Sequence, residues 1–480
     1  MKKRTKIVAT IGPASDSQEM IEKLMKAGVN VFRLNFSHGT HAYHLEVLTR
    51  IRLAEKKSGI YVGVLQDISG PKIRVGNIKE PFTLHAGDTL EFLAKEVEGH
   101  MVSLGNYVTC INQPSILGQL QVGDAVYMYD GIIRTTVLEA SAESVKVTIE
   151  NAGILSSKKG VNFPNTSLGI DVITPKDKKD ILWGIENNVD FMAISFVQNA
   201  SDMITARNIL KQHNATIQLF AKIEKFDAIA NIDAILKQSD GLMVARGDLG
   251  IEVPFYEVPS LQKMLIQKAN EASKPVITAT QMLLSMTTHE TATRAEISDI
   301  ANAVLDGTDA VMLSEESAMG QNPVLSVQTM MQTIQGAEKI YPFNKFSTFV
   351  INDATDSINE SAVRLCNDID AWGLIALSAT GTSVKKLSRY RPFRDIYAVV
   401  HSQKVARLLT ICWGVVPAFN VVENSLGQVM KEVMRQGIDK NILKQDKSYI
   451  LTAGDPLGVE GSTNTIRILR KREMEFFKEL

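Results

Sequence analysis

Cysteine is scarce in this chain. Cys110, Cys366 and Cys412 are its only three in 480 residues and stand far apart, which excludes a disulfide framework and a clustered thiolate metal site and fits a reducing, cytoplasmic compartment. Charge of one sign is lacking too. With 52 Lys and Arg against 53 Asp and Glu the net charge is −1, so neither nucleic acid nor an anionic membrane is expected as an obligatory partner. No apolar stretch approaches the ~20 residues of a membrane span. The basic opening Lys2-Lys3-Arg4-Thr5-Lys6 is followed only by Ile7 to Ile11, too short for the apolar region of a secretory signal, and reads as a first strand.

Apolar residues are abundant instead, at 45%, enough for large cores in two to four domains. Runs rich in Val, Ile, Leu and Phe recur at Lys6–Gly12, Val31–Ser37, Tyr61–Ser69, Asp190–Val197, Thr216–Glu224, Gly241–Gly250, Pro275–Met282 and Ala310–Ser317. Between them lie helical patterns such as Pro175–Asn187 and Val258–Ala272. Eight strands alternating with helices predict an α/β fold, a (β/α)8 TIM barrel whose chemistry sits at the C-terminal strand ends. From Pro71 to Pro164 the texture changes: Thr89–Leu93, Ala125–Tyr129, Ile132–Leu138 and Val145–Ile149 alternate with a period of two between Gly-Asp and Asp-Gly turns. This stretch predicts an inserted β-barrel lid domain overhanging the active mouth. Strands at Leu374–Ser378, Ile396–His401, Val415–Phe419 and Tyr449–Ala453 predict a C-terminal open α/β domain. The expected division is 1–70 and 166–345 for the barrel, 71–165 for the lid and 346–480 for the C-terminal unit.

Glu224 closes the fifth run and Asp248 lies at the end of the sixth, with Lys222 two places before Glu224. Converging strand ends would bring both carboxylates and the ammonium to one mouth, which suits a hard divalent cation beside a phosphate. The lysine would there stabilise negative charge that moves during transfer. The same residues also read as an ordinary strand end with a surface ion pair. Other run ends are Arg33-Leu34-Asn35-Phe36-Ser37-His38-Gly39, Leu65-Gln66-Asp67 leading to Ser69-Gly70-Pro71-Lys72-Ile73-Arg74, Thr278-Ala279-Thr280-Gln281-Met282 and Met312-Leu313-Ser314-Glu315-Glu316. Polar, charged and glycine residues thus gather at one rim, an enzyme's distribution. In the C-terminal unit Ser378-Ala379-Thr380-Gly381-Thr382-Ser383 precedes a helix carrying Lys385 and Lys386. It reads either as a phosphate cradle or as a plain cap. His41, His44 and His289 read as surface or capping residues, Met282, Met286 and Met312 as packing, and Arg467 to Arg472 as a solvated face.

Almost end to end the chain resembles the pyruvate kinase family, and within it the potassium-independent, bacterial-type group. The motifs are long and specific: VFRLNFSHG from Val31, FAKIE from Phe220, MVARGDLG from Met243, ITATQM from Ile277, TRAEISDIANAVLDGTDAVMLS from Thr293 and GSTNTIRIL from Gly461. The resemblance implies transfer of the phosphoryl group of phosphoenolpyruvate to ADP, giving pyruvate and ATP. It implies that Glu224 and Asp248 bind Mg²⁺ or Mn²⁺, that Lys222 stabilises the phosphoryl group in flight and the developing enolate, and that Arg33 holds phosphate. Thr280 and the backbone amides of Gly247 and Asp248 would hold the substrate carboxylate. Arg74, Lys159, His38 and Asn35 would meet the nucleotide. The proton donor to the enolate stays open between Thr280 with a water and Ser314 with Glu316.

Many relatives carry glutamate in place of Lys72 and need potassium, held partly by residues matching Asn35, Ser37 and Asp67. Lys72, with Ile68, Ser69 and Val75 around it, resembles the group that does not require potassium, its ammonium taking the ion's electrostatic role. The alternative is a nucleotide-contacting lysine with potassium still bound. Ser378, Thr380, Gly381, Thr382 and Ser383 match the place where regulated relatives hold an effector phosphate. Relatives regulated by fructose 1,6-bisphosphate add a cationic anchor from a C-terminal loop, yet the comparable Ala453–Thr465 contains Asp455 and Glu460 and no Lys or Arg. A sugar or nucleoside monophosphate is therefore the expected effector. A homotetramer is implied by the family alone. Two competing readings remain. A magnesium-dependent lyase or aldolase of pyruvate would need the Glu/Asp pair but not the lid, Lys222 or the nucleotide contacts. A non-catalytic metabolite-binding subunit would have lost metal or phosphate ligands, and none is lost.

Overall fold

The computed structural model describes residues 3–167, 169–346, 349–423, 425–457 and 463–480. Eight parallel strands, β1 (Lys6–Thr10), β2 (Val31–Asn35), β3 (Gly63–Asp67), β4 (Phe191–Ile194), β5 (Gln218–Ile223), β6 (Gly241–Ala245), β7 (Val276–Ala279) and β8 (Ala310–Leu313), close into a barrel in the order β1-β8-β7-β6-β5-β4-β3-β2. Helices cover the outside and side chains fill the inside, so these strands are apolar without alternation. Register sets Asp67 opposite Asn35 on one side and Ala193 on the other, which brings the ends of β2, β3 and β4 to one level. Helix starts are pinned by reciprocal caps at Thr174 with Asp177, Asn199 with Asp202 and Thr293 with Glu296.

Two runs continue past their strands into helix. β6 stops at Ala245 and β8 at Leu313, and the chain turns straight into the short helices Arg246–Glu252 and Glu315–Ala318. Leu249 is fully buried on the first of these, and a short apolar run has no period that separates a buried helical turn from a strand.

The inserted segment forms a seven-stranded sheet with a two-stranded ribbon, Phe82–Leu84 against Gly153–Leu155. It has its own core, including Leu90, Phe92, Val126, Met128 and Val145. His100–Ser103, Asn106–Cys110 and Val161–Asn162 join its expected strands. His100–Ser103 is exposed at every residue, so no alternation announces it.

In the C-terminal unit β9 (Gly373–Leu377), β10 (Ile396–Val400), β11 (Val415–Asn420) and β12 (Tyr449–Gly454) are parallel, and β13 (Thr463–Leu469) adds antiparallel to β12 at the edge. That last strand was not anticipated; Arg467 on it stays exposed. One apolar cluster runs from the barrel interior, Leu65, Phe191, Phe220 and Met243, into Leu374, Leu387, Ile396 and Leu409. At this junction a Cβ on Gly63 would lie 2.6 Å from Phe191 and 2.7 Å from Thr410 Oγ1, so only glycine allows the approach. Fully buried Arg391 clamps the junction, donating to the Gly307 carbonyl at 2.8 Å and to Asp309 Oδ2 at 3.1 Å. Among the described residues no helix is long and apolar enough to cross a membrane.

Candidate active site

Lys222, one residue from the end of β5, places its Nζ 2.6 Å from Ser195 Oγ, 2.9 Å from Glu224 Oε1 and 3.1 Å from Asp67 Oδ1. Asp67 Oδ2 accepts from Arg33 Nε at 2.7 Å, and Arg33 Nη1 reaches Thr10 Oγ1 at 3.0 Å. The ends of β1, β2, β3, β4 and β5 are thereby tied by two cations and two carboxylates. Burial disfavours the Lys222 ammonium, but Asp67 and Glu224 outweigh it and hold its pKa above the usual lysine range. Burial likewise works against the Asp67 anion, and Lys222 and Arg33 hold its carboxyl below the usual range all the same. Glu224 goes the other way: burial first, then the negative charges of Asp248 and Asp67, push it up against the pull of Lys222. Among these buried groups Glu224 is the one left short of positive charge.

Asp248 stands in the first turn of helix Arg246–Glu252, a correction to its expected place on a strand end. It lines a cleft of about 260 Å³ with Phe196, Lys72, Arg74, Lys159 and Glu252. Phe196, held at φ 57°, aims its N–H at Glu224 Oε2 at 2.7 Å, so it joins the buried cluster to the cleft. The donor set fits Mg²⁺ or Mn²⁺: two carboxylates in each other's field, one of them under-compensated, beside an open cleft. Among the described residues no group of three or more His, Cys, Asp or Glu could enclose a metal.

Basic groups border the cleft. Arg74 Nη1 bonds the Lys158 carbonyl at 2.7 Å, and Lys159 Nζ lies 3.8 Å from the centre of the Tyr129 ring. His38 is held below its usual pKa by burial and then by Lys72, Arg74 and Arg33, which places these four in one field. Asn35 is used locally, its Oδ1 accepting from the Ser37 amide at 3.1 Å.

Thr280 and Gln281 both take left-handed backbone, at φ 70° and φ 56°. Thr280 Oγ1 donates to the Ala279 carbonyl at 2.7 Å and accepts from the Gly247 amide at 2.8 Å, so that amide is occupied by the threonine here. Arg246 holds the turn: its Nη2 reaches the Thr280 carbonyl and its Nη1 Asp299 Oδ1, each at 2.6 Å.

Sequence reasoning missed Ser195, Arg246 and the buried pair Lys225 and Glu252, whose Nζ and Oε2 are 2.7 Å apart. Burial above all pushes Glu252 up to about 7. A helical reading of residues 246–252 would have put Glu252 one turn from Asp248; the strand reading hid it. One reading is corrected. His44 is buried rather than superficial: it stacks on Phe36 at 4.1 Å and its Nε2 lies 2.9 Å from the His38 carbonyl, on the inner face of helix His41–Ser58. Glu316 accepts the amides of Leu283 at 3.0 Å and Ser314 at 2.7 Å, so both its oxygens brace loops.

In the C-terminal unit Ser378, Thr380, Thr382 and Ser383 line a cavity of about 710 Å³ with Thr216, Ser402, Lys404 and Glu423. Gly381 shapes the loop at φ 87°, and a Cβ there would lie 3.0 Å from Leu409. Lys386 is committed to Asp353 at 2.6 Å and Asp356 at 3.0 Å. Glu460, named above in the stretch that lacks Lys and Arg, lies outside the described residues.

Residues 2–327 match the family model described as pyruvate kinase, barrel domain, and residues 356–469 the one described as pyruvate kinase, alpha/beta domain. The pyruvate kinase of Geobacillus stearothermophilus is 41% identical over 480 residues, covering 98% of this chain and 80% of the relative. That of Staphylococcus epidermidis is 41% identical over 473 residues, covering 97% and 80%. A solved pyruvate kinase structure from Cryptosporidium parvum superposes with a TM-score of 0.90 at 34% identity, over 98% of this chain and 96% of that one.

Proposed function

This chain belongs to the pyruvate kinase family, and on that premise we propose that its barrel mouth moves the phosphoryl group of phosphoenolpyruvate to ADP through the cluster around Lys222. The observation that carries the assignment is the position of Lys222 between Asp67, Glu224 and Ser195. Phosphoryl transfer runs through a loose transition state, so positioned cations do most of the work. Arg33, oriented by Asp67 and Thr10, takes the substrate phosphate. Lys222 meets the phosphoryl group in flight and the enolate left behind, and its raised pKa keeps it charged throughout. Glu224 and Asp248 would hold the divalent ion, which would supply positive charge against the negative charge of the transferring group.

Thr280, with the amides of Gly247 and Asp248, receives the substrate carboxylate, the Gly247 amide exchanging its bond to Thr280 Oγ1 for one to the substrate. Because both Glu316 oxygens already accept amides, Thr280 with a water is the better supported proton donor. Arg74, Lys159 and His38 meet the nucleotide, with Asn35 shaping the His38 loop, and lid closure keeps water from the phosphoryl group. Lys72 supplies the charge that potassium supplies elsewhere, near Asn35, Ser37 and Asp67. The cavity at Ser378, Thr380, Thr382 and Ser383 takes a sugar or nucleoside monophosphate activator, with Gly381 setting the turn. The protein acts in the cytoplasm as a homotetramer.

The metal assignment is tested with Glu224→Gln and Asp248→Asn. Each removes a formal charge, so the Mg²⁺ needed for half-activity and the directly measured Mn²⁺ dissociation constant both rise by about tenfold or more. Unchanged Mn²⁺ binding in both variants would place the ion elsewhere.

A further inference from the structure

Among the described residues lining the C-terminal cavity, Lys404 is the only Lys or Arg. A phosphate monoester carries a charge of about −1.5 to −2 at neutral pH, and the hydroxyls of Ser378, Thr380, Thr382 and Ser402 leave that charge uncompensated. Lys404 lines the same wall, and its ammonium would supply the missing charge. Lys404 lies on the short helix Gln403–Leu408 that follows β10, with its side chain 18% exposed.

Lys404 also leaves its own domain. Its Nζ donates to the Val189 carbonyl at 2.5 Å and stands 3.4 Å from Asp190 Oδ1. Asp190, wholly buried, immediately precedes β4, and its Oδ2 accepts from the Val64 amide of β3 at 2.9 Å and from Arg52 at 2.6 Å. β3 ends in Asp67 and β4 leads into Ser195, two of the three partners of Lys222. One side chain therefore lines the cavity and touches the start of β4, and through Asp190 it is linked to β3, the two strands whose far ends hold the catalytic lysine. Burial draws the Lys404 ammonium below its usual pKa in spite of Asp190, a deficit that a second anion relieves.

We propose that Lys404 is the cationic anchor for a phosphate monoester in this cavity and the residue through which that ligand alters affinity for phosphoenolpyruvate. The inference rests on the effector reading given above and adds to it a residue and a route. A bound phosphate shares the ammonium with Asp190, so the ligand acts on the seating of β3 and β4 from below. Because coupling between two sites is reciprocal, phosphoenolpyruvate must alter the ligand's affinity by the same factor.

The test is calorimetric titration of the full chain with ribose 5-phosphate, AMP, inorganic phosphate and fructose 1,6-bisphosphate, each with and without phosphoenolpyruvate. The unaltered protein is expected to bind at least one monoester, more tightly than inorganic phosphate, with a coupling factor well above one. Lys404→Met weakens that binding by about tenfold or more and brings the factor to about one; Lys404→Arg, which keeps the charge, retains most of both. Should Lys404→Met fold poorly because Asp190 loses a cation, the double variant Lys404→Met with Asp190→Asn restores the charge balance, and binding stays weak. Unchanged affinity or an unchanged coupling factor in these variants overturns the proposal. A wild-type protein that binds no monoester removes the effector reading as well. Binding abolished by Thr382→Glu but indifferent to Lys404→Met removes the anchor alone.

Discussion

Single side chains at the barrel mouth are set against one another by charge, and two of them make this measurable. Lys72 stands on the cleft wall within the field of His38. If its ammonium replaces a monovalent ion, activity in buffer free of potassium and sodium stays close to that with potassium, and Lys72→Glu creates a potassium requirement. Strong activation of the unaltered protein by potassium rejects that role. Glu252 is the second. Its carboxyl is lifted from 4.5 to about 7, burial being the main cause. Between those values the folded protein holds a proton that the unfolded chain has released, so this group's contribution to stability is complete below about pH 4.5 and is lost as pH rises through about 7. The loss amounts to at most about 3 kcal/mol. Urea unfolding at about pH 5 and about pH 8 should show a smaller difference between the two conditions for Glu252→Gln than for the unaltered protein. An identical difference would show that Glu252 is ionised throughout.

Elements matter where they turn. The strand β7 hands its chain to a left-handed Thr280, a conformation costing on the order of 1 kcal/mol or more that the surroundings must enforce. Arg246 enforces it by binding the carbonyls of Ala279 at 3.2 Å and Thr280 at 2.6 Å. Arg246→Met should lower kcat/KM for phosphoenolpyruvate by about ten- to a hundredfold, since charged hydrogen bonds contribute roughly 1.5–3 kcal/mol each. Mn²⁺ binding should be untouched. Loss of both together would mean that the helix carrying Asp248 has moved instead. Legibility in the sequence follows the same lines. The barrel strands could be read because each is a continuous apolar run covered on both faces, whereas His100–Ser103 and Thr463–Leu469 lie at sheet edges and lack that mark. Lys222, Glu224 and Arg33 were legible as charges at run ends. Ser195 and Arg246 were not, since what distinguishes them is a partner on another strand end, and Asp248 could be named while its helix was mistaken for strand.

Over the whole molecule one apolar cluster joins barrel interior and C-terminal sheet, while ion pairs such as half-buried Arg407 with Glu55 at 2.6 Å and buried Arg391 with Asp309 at 3.1 Å link the two. The inserted β domain keeps a core of its own, apart from that shared cluster. The proposed phosphoryl transfer depends on the charge of Lys222 among Asp67, Glu224 and Ser195. Its most direct test is pyruvate formation from phosphoenolpyruvate and ADP with Mg²⁺, compared between the unaltered protein and Lys222→Met. Methionine keeps the apolar stem and deletes the ammonium, so turnover should fall by about 10²- to 10³-fold, roughly 3–4 kcal/mol, while Mn²⁺ still binds. A Lys222→Met protein that keeps more than about a tenth of wild-type turnover, well short of the loss expected for such a donor, would contradict the account.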